Sequence, residues 1–282
     1  MAAGMTYVII TGGIDLSVGS MMAMCGMLGS VAMLAMGGAS WQQISSGQYI
    51  HLTPVVMIGG TLASILAGAL CGFINGKLIT KLSLAPFIVT LGTMSVFRGV
   101  SYLMNDGKPF AVSDYSWLDI GRFAYIPSSV VLLVVVLAAA GFMLKFTPFG
   151  RYVYAIGSNV ETAFHAGVSV NKVLVAVYTL TGAFVGLAAM ITTSRAGTAQ
   201  PTAGMGLELD IIAAVIIGGC SPSGGKGTMI GTVIGTFLIS FLRNGLTISG
   251  ISTNVQLIVI GAIIILAVAA DQVATKKAVA TE

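Results

Sequence analysis

Long apolar runs alternate along the chain with short polar interruptions, and the runs have the length of membrane spans, since about 20 residues of helix cross roughly 30 Å of hydrocarbon. Residues 1–11 are apolar but too few to span alone, and they stop at Gly12 and Gly13. Candidate spans follow at 17–36, 52–78, 86–104, 126–144, 173–194 and 255–270, and between the last two lie the runs 207–219 and 228–242, separated by a Gly-rich break. The 207–219 run is short, which predicts a half-length or tilted helix. The fold class expected is all-α, a polytopic transmembrane helical bundle of about eight spans or part-spans, with residues 1–282 as one transmembrane domain.

Composition agrees. Charged residues are 8% of the 282 and apolar ones 56%, against about a quarter charged in a globular protein. The 37 glycines lie inside apolar runs, where small residues let helices approach closely in lipid. Cys25, Cys71 and Cys220 share no metal-ligand spacing and read as reduced packing residues. The net charge is +4, but the 13 Lys and Arg are spread singly and make no basic stripe, so a nucleic-acid partner is not expected. They mark topology instead. Lys77 and Lys81, then Lys145, Arg151 and Lys172, then Lys226, then Lys276 and Lys277 fall at every second junction, which assigns those junctions and the C-terminus to the cytoplasm. Asp106, Asp114, Trp117 and Asp119, and later Glu208 and Asp210, then lie outside, while Lys108, Arg122, Arg195 and Arg243 run against the rule.

Candidate chemistry is sparse. His51 and His165 have no nucleophile arrangement near them in sequence and no metal cluster stands out, so neither catalysis nor a cofactor or metal site is expected. The stretch Gly224-Gly225-Lys226-Gly227-Thr228 fails as a phosphate-binding loop, because Cys220 stands where the first Gly is needed and Gly227 where Ser or Thr must follow the Lys. It reads as a flexible turn between two helices. Asp15 and Ser17, set between Gly13 and Gly19, can cap the next helix or serve a pathway, as an ionisable group at membrane depth can. Asn75 and Arg98 sit near span ends and need partners or an interface. For Arg98 those partners are Glu208 or Asp210. Val8 to Gly13 is echoed by Val215 to Gly219, a hint of an internal repeat.

The longest polar insertion on the cytoplasmic side runs from Phe146 to about Asn171. Within it Asn159 can N-cap a short helix, Glu161 sits in the first turn where the dipole favours an acid, and Gly167 can end it. A short amphipathic helix between two spans suits seating in a groove of a soluble partner.

Several strings occur in order: Gly12-Gly13-Ile14-Asp15-Leu16-Ser17-Val18-Gly19, Phe73-Ile74-Asn75-Gly76-Lys77, Ala85-Pro86-Phe87-Ile88-Val89-Thr90-Leu91-Gly92, Phe149-Gly150-Arg151, and Glu208-Leu209-Asp210-Ile211-Ile212-Ala213-Ala214 before Gly218-Gly219. Together they resemble the membrane permeases of ribose-type bacterial ABC sugar importers over almost the whole chain. The resemblance implies a permease subunit that is not itself an enzyme, in the inner membrane, working as a homodimer with an ABC ATPase that binds the ATP and a periplasmic sugar-binding protein. It implies that residues 146–171 carry the coupling loop, with Phe149, Gly150, Arg151, Gly157, Asn159, Glu161, Ala163 and Gly167 facing the ATPase. Asp15, Ser17, Asn75, Thr90, Arg98, Glu208 and Asp210 are the candidates for pathway or gating. The chain departs from the family in having only about ten apolar residues before the Gly-Gly-Ile-Asp string, where members carry a further span and most of a second. Branched-chain amino acid permeases are the nearest rival reading, and an ion-coupled secondary carrier a more distant one because the acids sit at span ends.

The charge pattern has a direct test. A cysteine introduced at position 114 is expected to react with a membrane-impermeant reagent in intact cells and one at position 161 is not; the reverse result would invert the topology.

Overall fold

The structure is a computed structural model and describes residues 1–48, 51–112, 115, 122–123 and 126–280, the side chains of 122–123, 267 and 270–280 excepted. Trp117, Asp114 and Asp119, on which the outer-loop expectation rests, lie outside the described residues. Helices dominate: α1 (Ala2–Ile10), α2 (Val18–Met36), α3 (Trp41–Ser46), α4 (Pro54–Leu82), α5 (Pro86–Leu103), α6 (Ser128–Phe146), α7 (Pro148–Ser158), α8 (Val160–His165), α9 (Val170–Ala196), α10 (Leu207–Ile217), α11 (Met229–Ile248) and α12 (Thr253–Ala280). Two antiparallel pairs of two-residue strands accompany them, β1 (Phe110–Ala111) with β4 (Thr198–Ala199), and β2 (Arg122–Phe123) with β3 (Ile126–Pro127). Among the described residues, α2, α4, α6, α9 and α11 are long and apolar enough to cross a membrane.

The helix ends differ from the apolar runs where a polar side chain has somewhere to go. α4 continues past residue 78 to Leu82 because Lys77 lays its stem back along the helix, with its ammonium 5.4 Å from the Phe73 ring centroid. α11 continues past residue 242 to Ile248 because Arg243 has an acidic partner, described below. Pro54, Pro86 and Pro148 each open a helix at its first position, where the missing N–H is not needed.

The chain divides into two compact units, one of Met1, Asp15–Ala139 and Leu174–Met205, the other of Ala2–Ile14, Ala140–Val173 and Gly206–Glu282. In the first, α2 packs against α4 and α5. α4 shows how a lipid-facing helix is patterned. Leu62, Leu66 and Leu70 recur every four residues and are exposed, while Gly60, Ser64, Gly68, Gly72, Asn75 and Gly76 face inward. Large apolar groups outside and small or polar ones inside reverse the arrangement of a water-soluble helix, because lipid provides no hydrophobic drive between helices and close packing must supply the attraction.

That packing is tight on α9. A Cβ on Gly68 would collide with the carbonyl oxygen of Gly182, one on Gly182 with that of Gly68, and one on Gly72 with that of Tyr178. Ser64 Oγ adds a hydrogen bond to the Gly186 carbonyl at 2.9 Å. Met27, Met33 and Leu34 in the second half of α2 form a buried cluster with Ile44, Val112, Tyr115 and the strand residues Phe110 and Ala199. Burial pushes the Tyr115 phenol up to about 12, so it stays protonated, 2.6 Å from Thr61 Oγ1.

In the second unit α1 is buried from Ala3 to Ile10 and packs on α7, α10 and α11. α10 is the half-length helix that the short 207–219 run predicts. α10 and α11 meet through Gly218, Gly231 and Gly235, where a Cβ would strike the backbone of the facing helix.

Glycine substitutions therefore separate by position. Gly72→Ala is expected to destabilise by about 1–3 kcal/mol or more, as overpacking does. Gly92→Ala, with nothing within 4 Å of the added carbon, is expected to stabilise by about 0.5–1 kcal/mol through helix propensity. Unfolding of the two variants in detergent micelles measures both, and equal shifts would contradict the packing described.

Candidate functional site

Two helices, α1 and α10, end in the same manner. At the end of α1, Gly12 N–H donates to the Ile9 carbonyl and Gly13 N–H to that of Val8; at the end of α10, Gly219 N–H donates to Ile216 and Cys220 N–H to Val215. Gly12 and Gly219 both take left-handed φ, 77° and 88°, as this form of helix stop requires. The sequence echo between the two strings is thus a matched pair of helix ends. The break after α10 also closes the end of α1, because Gly225 N–H donates to the Ile10 carbonyl at 2.8 Å.

Helix α7 sits against both breaks. Tyr154 donates its hydroxyl to the Gly227 carbonyl at 2.7 Å, and burial raises its phenol, so the donor persists at physiological pH. Gly157 leaves no room for a Cβ, which would overlap the Ile10 carbonyl oxygen and approach Gly225 N to 2.5 Å. Gly150 is equally closed, against Leu144, and the half-buried Phe149 ring lies 6.0 Å from that of Tyr7. Tyr7 in turn donates to the Ala140 carbonyl at 2.5 Å. The stretch from Gly224 to Thr228, expected to be a flexible turn, is tied at Gly225 and Gly227, and by a further bond from Ser221 N–H to the Lys226 carbonyl at 3.0 Å.

The next helix, α8, forms as its capping signals predict. Asn159 accepts from Thr162 N–H at 2.8 Å, Glu161 lies in the first turn, and Gly167 follows with φ 82°. Ala163 is buried, whereas Arg151, Asn159, Glu161 and Gly167 are exposed. Between α8 and the start of α9 lies a cavity of ≈ 720 Å³ with Val160, Phe164 and Val168 in its wall and Glu161 and Lys172 at its rim. Phe164 is 66% exposed, a large apolar surface next to charged groups.

The remaining candidates separate into three places. Asp210 pairs with Arg243 at 2.9 Å, not with Arg98, and together with Thr236 and Ser240 they line a cavity of ≈ 210 Å³; Glu208 stands in the same helix turn. Arg98 instead donates Nη1 to the carbonyls of Pro201 at 2.6 Å and Ala203 at 2.9 Å, fixing the loop before α10. Asp15, Ser17, Asn75 and Thr90 are fully buried. Asp15 accepts from both the backbone N–H and the hydroxyl of Ser17, at 2.8 and 2.6 Å, so the acid holds the entry to α2 and the Ser17 side chain makes no cap. Sequence reasoning passed over Tyr7, Tyr154 and Thr228, whose hydroxyls bond backbone groups. Among the described residues no cluster of three or more His, Cys, Asp or Glu gathers that could hold a metal.

Apolar spans packed through glycine and the half-length helix α10 mark a multi-pass membrane protein. The chain belongs to the family described as the branched-chain amino acid transport system / permease component, which matches residues 1–268. It is 40% identical over 277 residues to the ribose import permease protein of Escherichia coli strain K12, covering 96% of this chain and 81% of that one. It is 43% identical over 276 residues to the ribose import permease protein of Bacillus subtilis strain 168, covering 96% and 80%, and 37% identical over 277 residues to a D-allose transport system permease protein of E. coli K12, covering 97% and 79%. No solved structure matches the chain.

Gly157 and Gly167 are expected to behave differently. Gly157→Ala forces α7 off the end of α1 and should cost about 1–3 kcal/mol or more, whereas Gly167→Ala meets nothing within 4 Å and costs only the left-handed backbone, about 1–2 kcal/mol. Limited proteolysis checks this, with faster cleavage across 148–165 expected only in Gly157→Ala.

Proposed function

We propose that the chain is the membrane permease subunit of an ATP-driven importer in the bacterial inner membrane, passing a monosaccharide, a ribose-like pentose or a hexose, into the cytoplasm. The observation that carries the reading is the agreement of the chain with permeases named for ribose, allose and fructose over nearly its whole length. The partners implied are a second copy of the chain, an ABC ATPase and a periplasmic sugar-binding protein, with the C-terminus in the cytoplasm. A branched-chain amino acid as cargo has the family description in its favour, but the relatives quoted above carry sugar names.

The geometry supports a division of labour within residues 146–171. Arg151, Asn159, Glu161 and Gly167, with the apolar wall of the α8 cavity, form the face offered to the ATPase. Phe149, Gly150, Gly157 and Ala163 point the other way and carry displacement of that face into the protein. Through Gly157 and Tyr154 a push on α7 arrives at the ends of both broken helices. The Asp210 and Arg243 pair, with Glu208 and nearby hydroxyls, provides groups able to hydrogen-bond a polyol and is assigned to the path or its gate, with Arg98 holding the adjoining loop.

The test is co-purification of the tagged ATPase together with sugar uptake in cells carrying the binding protein. Glu161→Lys and Phe164→Ala are expected to leave membrane insertion intact and to weaken both, by about 1 kcal/mol of association if the contact is peripheral and several times that if central. Wild-type ATPase recovery and uptake in both variants would make α8 a connector only. Uptake of leucine in place of sugars by the intact system would move the cargo to amino acids.

A further inference from the structure

One buried constellation in the first unit, which includes the pathway candidates Asp15 and Asn75, holds oxygen atoms that none of the contacts above uses. Asp15 precedes α2, Asn75 is on α4 and Tyr178 is on α9, and each is 0% exposed. Asp15 Oδ2, Asn75 Oδ1 and the Tyr178 hydroxyl have no hydrogen-bond partner among the described residues. They are neighbours. Asn75 Nδ2 donates to Ser17 Oγ at 2.9 Å and Ser17 Oγ donates on to Asp15 Oδ1 at 2.6 Å, while Tyr178 is within electrostatic reach of Asp15. Gly72 and Gly76, flanking Asn75, let α4 lie directly on the α9 backbone at Val175 and Tyr178.

The direction of the bonds fixes the chemistry. Ser17 has one hydrogen and gives it to Asp15, so Asn75 must present its amide nitrogen to Ser17 and is left with its carbonyl oxygen unused. Burial raises the Asp15 pKa, while the two donors to Oδ1, the Ser17 hydroxyl and backbone N–H, work the other way and favour the carboxylate. No Lys, Arg or His stands within 4.0 Å of Asp15 among the described residues; the ion pair found there is that of Asp210 and Arg243. A buried carboxylate with no counter-charge is costly. Three oxygens with free lone pairs, carrying a single negative charge in total, suit a hard cation of one positive charge; a divalent ion would leave an excess charge and seeks more carboxylates, and zinc seeks nitrogen or sulfur.

We propose that Asp15 Oδ2, Asn75 Oδ1 and the Tyr178 hydroxyl bind one monovalent alkali cation of the sodium class, which neutralises Asp15 and ties the entry of α2 to α4 and α9. The site is static: it holds the break after α1 in place and drives no transport, and it is independent of the importer reading.

Thermal unfolding of the chain in lipid nanodiscs tests this, at constant ionic strength, with sodium or potassium chloride exchanged against choline chloride. The expected result is a midpoint that rises with alkali concentration and is flat in choline. Asp15→Asn should abolish the dependence while circular dichroism stays helical, and Thr192→Ala, at an exposed position of α9, should leave it intact. Should Asp15→Asn fail to fold, Tyr178→Phe removes a single oxygen and should move half-saturation several-fold higher. No alkali dependence in the wild type, or unchanged dependence in Asp15→Asn or Tyr178→Phe, overturns the site. So does an infrared carboxylic-acid band in the wild type that vanishes in Asp15→Asn, which would show that a proton neutralises Asp15.

Discussion

Inside a bilayer every backbone polar group has to find its partner within the protein, because hydrocarbon offers none. That constraint bears hardest on a helix that stops part-way, whose last four carbonyls have no intrahelical donor. α10 has eleven residues, so at 1.5 Å per residue it does not cross the roughly 30 Å of hydrocarbon, and α1 ends in the same way. Each closes its end with the same pair of backward hydrogen bonds around a left-handed glycine, and one break donates to the other at Ile10. The rest of the second unit is arranged about this junction: Tyr154 and Gly157 of α7 close on it, Thr6 in α1 meets Thr232 in α11 at 2.7 Å, and Cys220 Sγ stands 3.8 Å from the same hydroxyl.

The same constraint explains where glycine and serine are placed. Helices in lipid gain little by hiding apolar surface from one another, so their attraction grows as their backbones approach. At Gly68, Gly72, Gly182 and Gly186 the α4 and α9 backbones come together so closely that side chains are excluded on both sides. Such contacts are stiff, since no rotamer can relieve an added carbon set against backbone. Elements joined in this way move as bodies, and displacement is left to the ends and breaks.

Much of this was legible beforehand and some was not. Apolar run length gave α2, α4, α5, α6, α9, α10 and α11 nearly in place, because about 20 residues per crossing is a physical requirement and not a propensity. The Asn159, Glu161 and Gly167 signals located α8, since capping is local chemistry between residues three or four apart. The boundaries missed were those set by distant partners. Nothing near Arg243 says that Asp210 waits 33 residues earlier, so α11 was ended too soon. Arg98 was matched to an acid by charge alone, although two carbonyls satisfy a guanidinium as well when they are at hand. Ser40 and Gln43 do spell a capping box, yet the helix they start has six residues and no periodicity to announce it.

The partition of the coupling residues shows why resemblance and geometry are both needed. Resemblance groups eight positions between Phe149 and Gly167 as one functional set. Exposure splits them, because a residue that touches a partner must be open to it and one that passes on its motion must be packed against something that moves. Arg151, Asn159, Glu161 and Gly167 meet the first condition; Gly150, Gly157 and Ala163 meet the second. Gly157 is the sharpest case, for with no side chain it has nothing to offer a partner, and its value lies in allowing α7 to rest on the carbonyl that ends α1. A surface contact can be lost and leave the fold unchanged. A backbone contact of that kind cannot be altered without moving the end of α1 itself, which under the proposed coupling role makes α7 the point where binding outside the membrane would meet rearrangement within it.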